Sequence, residues 1–98
     1  MSKGRKTGSF DEQGIDSLSK DKPVVYEIFN KEGKNIYTGS AKRGRVDDRL
    51  KEHLPGGSDP VQGGAKVKIT QKSSIEQAQK AEARKIKTEK PAQNKRGK

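Results

Sequence analysis

Apolar residues are concentrated in the middle of this chain. Thirteen of its sixteen Leu, Ile, Val and Phe residues lie between Val24 and Ile86, and both ends are polar. This distribution predicts a flexible basic N-terminal segment at residues 1–21, one folded domain at residues 22–94 and a basic C-terminal tail at residues 95–98. Within the first segment, we expect at most one short helical turn at its isolated apolar residues.

The first half of the domain has the pattern of a β-hairpin. Residues 24–29 are β-branched and aromatic, residues 30–33 have turn chemistry, and residues 35–38 form the return strand. If the hairpin closes around the two central turn residues, Tyr26 and Tyr37 are direct cross-strand neighbours. A register change of one residue would turn them to opposite faces of the sheet.

A helix and a third strand are predicted next. The helix spans about Arg45–Leu54, and Arg49 and His53 project together from one flank because they are four residues apart. Residues 55–64 are rich in Gly, Pro, Ser and Asp, which predicts a mobile loop. Residues 66–70 alternate between polar and apolar, which is typical of a half-buried strand.

The last predicted helix carries an acid in an unusual place. It begins after a capping-box pattern at Ser73, and its apolar stripe of Ile75, Ala78 and Ile86 also contains Glu82. A carboxylate on a core-facing stripe is costly unless it is paired or binds a metal. Three interpretations therefore stay open: a salt bridge to a Lys or Arg, a shallow stripe that lets the carboxylate reach water, or a metal site.

The net charge of the chain indicates which kind of partner it binds. The 98 residues carry a formal net charge of +10, which favours a polyanionic partner such as nucleic acid. No apolar run approaches membrane length, so no membrane association is expected. The absence of cysteine excludes disulfides and thiolate metal sites. The polar N-terminus does not have the pattern of a secretion signal, which predicts a cytoplasmic protein, or one delivered into another cell by other means.

Taken in their order along the chain, these residues resemble the GIY-YIG nuclease family over about residues 23–94. The leading Gly-Ile of the family's first motif is replaced by Val24-Val25, and the Ile of the second motif by Thr38. These are strand positions, so the replacements alter packing more than chemistry. The matching residues are Tyr26, Tyr37, Gly39, Arg49, His53, Glu82 and Asn94, of which Gly39 and Asn94 are supporting positions.

The resemblance implies a fold and an activity. The fold would be an α/β domain of the α+β type, with a three-stranded antiparallel sheet flanked by helices. The activity would be Mg²⁺- or Mn²⁺-dependent hydrolysis of a phosphodiester bond. Glu82 would hold the metal, and Arg49 would stabilise charge on the phosphate, which is the largest catalytic contribution in such reactions. Tyr26 would act as the base or position the water, assisted by Tyr37 and His53.

The loop after the second strand supplies further candidates. Lys42, Arg43 and Arg45 lie in this loop, and we expect them to contact the phosphates of a nucleic acid. The expected substrate is DNA, with RNA as the alternative. Its recognition should have low sequence specificity, because phosphate contacts carry no sequence information. We expect a monomer, with a protein inhibitor if the domain is a toxin or effector.

Three classes of function compete at this point. The first is a nuclease, including a toxin or effector domain. The second is a non-catalytic nucleic-acid-binding module on the same scaffold, and the third is a basic protein of the ribosome or nucleoid. The joint presence of Tyr26, Tyr37, Arg49, His53 and Glu82 favours the enzyme, because a binding module has no use for a carboxylate on an apolar stripe.

Overall fold

The computed structural model describes residues 6–19 and 21–89. The predicted strands and helices are present, with ends that differ by a few residues. Asn94 and the tail at residues 95–98 lie outside the described residues. In chain order the elements are β1 (Thr7–Ser9), α1 (Glu12–Asp16), β2 (Val24–Phe29), β3 (Asn35–Ala41), α2 (Val46–Glu52), β4 (Lys66–Gln71) and α3 (Ile75–Glu89).

The strands form one antiparallel sheet in the order β1-β4-β2-β3. The predicted antiparallel α+β fold is confirmed, but the sheet has four strands in place of three. The additional strand, β1, has three residues and pairs with the outer side of β4. A strand this short is too brief to show an alternating pattern, so the sequence gives no sign of it. On the opposite side of the sheet, β3 is the edge strand.

The main core lies on one face of the sheet, beneath α1 and α2. Alternate residues of β2 and β4 point to this face, because successive side chains of a strand point to opposite sides. The apolar face of α2 covers them, and the long loop before β4 adds Val61. The buried apolar cluster consists of Phe10, Ile15, Leu18, Val24, Tyr26, Ile28, Ile36, Ala41, Val46, Leu50, Val61, Val67 and Ile69.

On the opposite face, α3 packs mainly over β2 and β3. Ala78 is fully buried there, and Lys85 pairs with the buried carboxylate of Glu27 at 3.5 Å. The helix leaves β4 and β1 uncovered on this face, so Lys66 and Lys68 are exposed. Within the part of the chain that the structure describes, no helix is long and apolar enough to cross a membrane.

The N-terminal segment belongs to the folded domain, so its predicted flexibility is wrong for residues 6–19. The side chains of Ile15 and Leu18 are 0% and 2% exposed and join the main core. Asp11 caps α1 by accepting the backbone N–H of Gly14 at 2.8 Å. The three apolar residues of this segment are not spaced with a regular period, so their pattern does not predict a helix or a strand. All three nevertheless lie in the same core, and their burial stabilises the segment.

Candidate active site

The two tyrosines lie on the same face of the hairpin, one diagonal step apart. Tyr26 is opposite Gly39, and Tyr37 is opposite Ile28. The predicted direct pairing is therefore wrong by two residues, because the turn is longer than assumed and a bulge follows Ile28. A shift of two residues keeps side chains on the same face. The rings stack with their centroids 6.3 Å apart and 22° between their planes.

Gly39 makes room for this arrangement. A Cβ atom at this position would lie 2.5 Å from both Cζ and the hydroxyl oxygen of Tyr26. The ring of Tyr26 therefore crosses the strand where no side chain is present. The supporting position suggested by the sequence thus has a steric explanation.

We expect Gly39→Ala to destabilise the domain by about 1–3 kcal/mol, since the added methyl group displaces a buried ring. Urea unfolding measures this free energy. Gly33→Ala is not a suitable comparison because its φ is +85°, whereas Lys34→Ala changes an exposed residue of the same hairpin without crowding the ring. A Gly39→Ala variant as stable as the unchanged protein, with an unaltered near-UV signal from the tyrosines, would contradict this packing.

Tyr26 and His53 form a buried hydrogen-bonded pair. The Tyr26 hydroxyl lies 2.8 Å from Nε2 of His53, and Nδ1 of His53 lies 2.8 Å from the backbone carbonyl oxygen of Asp59. A carbonyl only accepts, so Nδ1 carries the hydrogen and donates it. Nε2 of the neutral ring is then the acceptor for the Tyr26 hydroxyl. The ring of Tyr37 packs against the same imidazole, with centroids 4.6 Å apart.

The loop that follows α2 holds His53 in place. The backbone N–H of Val61 donates to the carbonyl of His53 at 2.9 Å, and that of Asp59 donates to the carbonyl of Glu52 at 2.9 Å. Val61 is buried in the main core. The prediction of a mobile loop is therefore wrong: its composition indicated turns, but its backbone hydrogen bonds and one core residue fix it. The carbonyl of Asp59 was missed because a backbone group leaves no signal in the residue type.

Burial dominates the electrostatics of the pair. It raises the pKa of Tyr26 above its ordinary value of 10.0, and the neighbouring Tyr37 and Glu82 add to this rise while Arg49 opposes it. Burial lowers the pKa of His53 below 6.5, against the opposing effect of Asp59. Both side chains are therefore neutral at pH 7, which fits the hydrogen bond between them.

The lowered pKa of His53 predicts a loss of stability on acidification. The unfolded chain binds a proton at about pH 6.5 and the folded protein only at lower pH, so protonation favours unfolding. The free energy of unfolding should fall as the pH drops from 7 to 5, with a limiting slope of about 1.4 kcal/mol per pH unit. His53 is the only histidine, so urea unfolding of His53→Gln should lack this slope. Stability that is constant or increases towards pH 5 would contradict the buried neutral ring.

A cleft of about 420 Å³ opens at the end of β3, between the start of α2 and the start of α3. It brings together Arg49 and Glu82, which the sequence predicted to act on one phosphate. Lys42 and Arg45 also line it, whereas Arg43 is exposed and Tyr26 and His53 are not among the lining residues. The lining residues are Ser40, Ala41, Lys42, Arg45, Arg49, Ile75, Gln79 and Glu82.

Glu82 is a half-buried carboxylate that lines the cleft. Its Oε1 accepts a hydrogen bond from the Ser40 hydroxyl at 2.6 Å. Among the described residues, its Oε2 has no hydrogen-bond or ion-pair partner. The salt-bridge interpretation is thus not supported within residues 6–19 and 21–89. One carboxylate in the lining of a cleft fits Mg²⁺, which keeps most of its waters and needs few protein oxygens.

The described residues contain no group of three or more His, Cys, Asp or Glu side chains that could form a metal cage. The hydroxyl of Ser40, which fixes the carboxylate of Glu82, was not predicted from the sequence; a serine in a strand gives no such signal.

The two groups of site residues lie on opposite faces of the sheet. Tyr26 and Tyr37 point towards α2, whereas Ser40 points towards α3 and Glu82. They come close because β3 is an edge strand and the cleft opens around its end. Arg49 and Glu82 are near enough to influence the pKa of Tyr26. The structure therefore places a neutral Tyr–His pair beside a cleft that contains one carboxylate and several cations.

The family model of the GIY-YIG catalytic domain matches residues 22–96. The chain belongs to the GIY-YIG family. The resemblance seen in the sequence is confirmed, and with it the assignment of this chain as a GIY-YIG nuclease domain. No curated protein gives a significant sequence match.

Solved structures with this fold include the GIY-YIG N-terminal endonuclease domain of UvrC from Thermotoga maritima. An Asn-to-Ala mutant of that domain, bound to its catalytic divalent cation, is 27% identical with a TM-score of 0.61; the match covers 76% of this chain and 84% of that one. The domain bound to magnesium is 28% identical with a TM-score of 0.57, and the match covers 76% and 85%. The GIY-YIG chain thus shares its fold with an endonuclease domain that binds a divalent cation.

Proposed function

We propose that this GIY-YIG domain is a metal-dependent endonuclease that hydrolyses phosphodiester bonds in DNA with low sequence specificity. The observation that carries the proposal is the cleft that contains both Arg49 and Glu82, beside the Tyr26–His53 pair. A non-catalytic binding module would need the cations of the cleft alone. It would have no use for a carboxylate among them, since a negative charge repels phosphate.

Glu82 is the residue that would hold the metal. When bound, a divalent cation supplies Lewis-acid stabilisation of the charge on the phosphate and its leaving oxygen. Ser40 would help to orient the carboxylate by donating to Oε1, and Glu82 lines the cleft. The protein's own contribution is thus one fixed negative oxygen in an otherwise basic cleft.

Arg49 would bind the phosphate in the transition state. Its guanidinium lines the cleft, and its ion pair with Glu52, at 3.5 Å, is exposed and therefore weak. A weakly paired guanidinium is free to form two parallel hydrogen bonds to a phosphate. Lys42 and Arg45 would contact the flanking phosphates from the loop after β3. Such contacts orient the substrate without reading its bases.

Tyr26 and His53 would accept the proton that the attacking water loses. Because its pKa is raised, Tyr26 acts as a neutral phenol and not as a phenolate. The ring of Tyr26 is fully buried and does not line the cleft, so water would reach its hydroxyl only if the substrate-bound site opens towards the ring. Tyr26 would then accept a proton from that water while passing its own proton to Nε2 of His53, which already accepts that hydrogen bond at 2.8 Å. The water oxygen then forms a bond to phosphorus while the bond to the leaving oxygen breaks. Burial would disfavour the resulting imidazolium, as the lowered pKa of His53 implies, and the carbonyl of Asp59 would partly offset this effect.

The test is cleavage of supercoiled plasmid and of structured RNA, with Mg²⁺, with Mn²⁺ and with EDTA. We expect nicking of the plasmid that requires a divalent cation. Arg49→Ala should slow it by about 10²–10³-fold, the usual effect of removing one charge-stabilising donor. Arg84→Ala is the matched control, because this exposed arginine on α3 does not line the cleft. Binding without any cleavage under these conditions would favour the non-catalytic module.

A further inference from the structure

A second concave surface lies on the half of the sheet that α3 leaves uncovered. It is a shallow pocket of about 480 Å³ at the start of β4 and beside the β2–β3 turn. Lys66 and Lys68 project from β4, Lys31 comes from the turn, and Phe29 and Thr7 complete the surface. We call these five residues the open sheet face.

The three lysines of the open sheet face carry unbalanced positive charge. None of them has an ion-pair partner among residues 6–19 and 21–89. The acid next to them in the sheet, Glu27, is buried and already pairs with Lys85 at 3.5 Å. Phe29 is half-buried and lines the same pocket as the three lysines. Such a combination of ammonium groups and one aromatic ring suits a sugar-phosphate backbone.

We propose that the open sheet face is a second binding surface for the phosphodiester backbone, separate from the catalytic cleft. The inference rests on the proposed nucleic-acid partner but not on cleavage. Both surfaces would hold the same polyanion, the cleft at the scissile phosphate and the open sheet face at phosphates further along. The lysines contribute affinity that depends on salt and not on sequence.

Charge argues against the chain itself as the occupant. The parts of the sequence outside the described residues, 1–5, 20 and 90–98, contain seven Lys and Arg residues and no acid. None of these segments can neutralise the lysines. A second copy of the chain would bring its own net charge of +10 against them. A polyanion is the partner whose charge complements this surface.

The position of the open sheet face predicts a length dependence. The cleft lies at the end of β2 near Val24, and the open sheet face at its other end near Phe29. At a rise of about 3.3 Å per residue, the five steps from Val24 to Phe29 place the two surfaces about 17 Å apart along the strand. A strand of two or three nucleotides can therefore occupy only one of them. A duplex of about 20 base pairs, with a charge every 1.7 Å, can reach both.

The experiment is a salt titration of binding in EDTA, so that no cleavage occurs. Fluorescence anisotropy of a labelled duplex of 20 base pairs would be compared for the unchanged protein and Lys66→Gln/Lys68→Gln. The double variant should lower the log–log salt slope by about two, since each lost phosphate contact removes about 0.9. Lys80→Gln/Lys87→Gln is the matched control: it removes the same charge from exposed positions of α3. It should leave the slope nearly unchanged. A trinucleotide can occupy only one of the two surfaces, so its salt slope with the unchanged protein should be smaller than that of the duplex.

Three outcomes would overturn the inference. Equal losses in both double variants would mean that only general charge matters. An unchanged slope in Lys66→Gln/Lys68→Gln would mean that the face does not touch the duplex. Loss of binding to anionic lipid vesicles in this variant, with duplex binding intact, would identify a membrane partner instead. Plasmid cleavage, measured separately, tests the proposed function: a protein that cannot cut yet shows the expected slopes would remove the nuclease proposal and leave this one.

Discussion

Glu82→Ala is expected to abolish divalent-cation-dependent cleavage while the domain stays folded and still binds nucleic acid. Loss of the carboxylate removes the protein oxygen that would hold the cation, and with it a stabilisation of several kcal/mol, or about 10³-fold in rate. Folding should change by less than about 1 kcal/mol, because the lost hydrogen bond to Ser40 is offset by removal of a half-buried charge. Plasmid cleavage and melting temperature, measured on the same preparation, check both expectations.

Two comparisons make this test specific. Glu76→Ala removes an exposed acid from the first turn of the same helix and should cleave normally. Glu82→Gln keeps an oxygen that can accept from Ser40 but lacks the charge, so it should fold like the unchanged protein and bind Mn²⁺ more weakly by calorimetry. If Glu82→Ala is strongly destabilised but cleaves at the normal rate while folded, Glu82 is a structural residue and the metal assignment is wrong.

The hairpin shows which features of the site the sequence pattern could predict and which it could not. The strand alternation places Tyr26 and Tyr37 on one face for any register change of an even number of residues, so their proximity could be predicted although the register was not. The exact register depends on the length of the turn and on the bulge after Ile28. Gly39 could be recognised as a motif position, but its steric role required the register, since only the register places it opposite Tyr26.

In the helical part of the site, too, the positions of the residues could be predicted but their surroundings could not. The spacing of Arg49 and His53 correctly places both on α2, but the two side chains have different surroundings: Arg49 lines the cleft and His53 is buried against Tyr26. The stripe on α3 singled out Glu82, yet Ser40 and the carbonyl of Asp59 could not be predicted. Their roles arise from strand order and loop backbone, which depend on contacts between distant parts of the chain.

The second large effect that we expect is on the free energy of unfolding and concerns the N-terminal segment. Its composition predicts flexibility, whereas its apolar residues are buried. Ile15→Ala should destabilise the domain by about 2–5 kcal/mol, the usual cost of truncating a fully buried aliphatic side chain. The five-residue helix α1 is far too short to be stable in isolation, so its burial against the core must account for its formation. For a domain of this size, such a loss is a large fraction of the total stability.

Urea unfolding should show this loss as a lower midpoint with an unchanged slope. Gln13→Ala, an exposed change on the same helix, is the control and should lie within about 0.5 kcal/mol of the unchanged protein. If the segment were flexible and separate from the domain, Ile15→Ala and Gln13→Ala would both leave the midpoint unchanged. The comparison therefore decides whether the folded unit begins near residue 6 or only at β2. If it begins near residue 6, a shortened protein that starts at residue 22 would expose the core beneath α1.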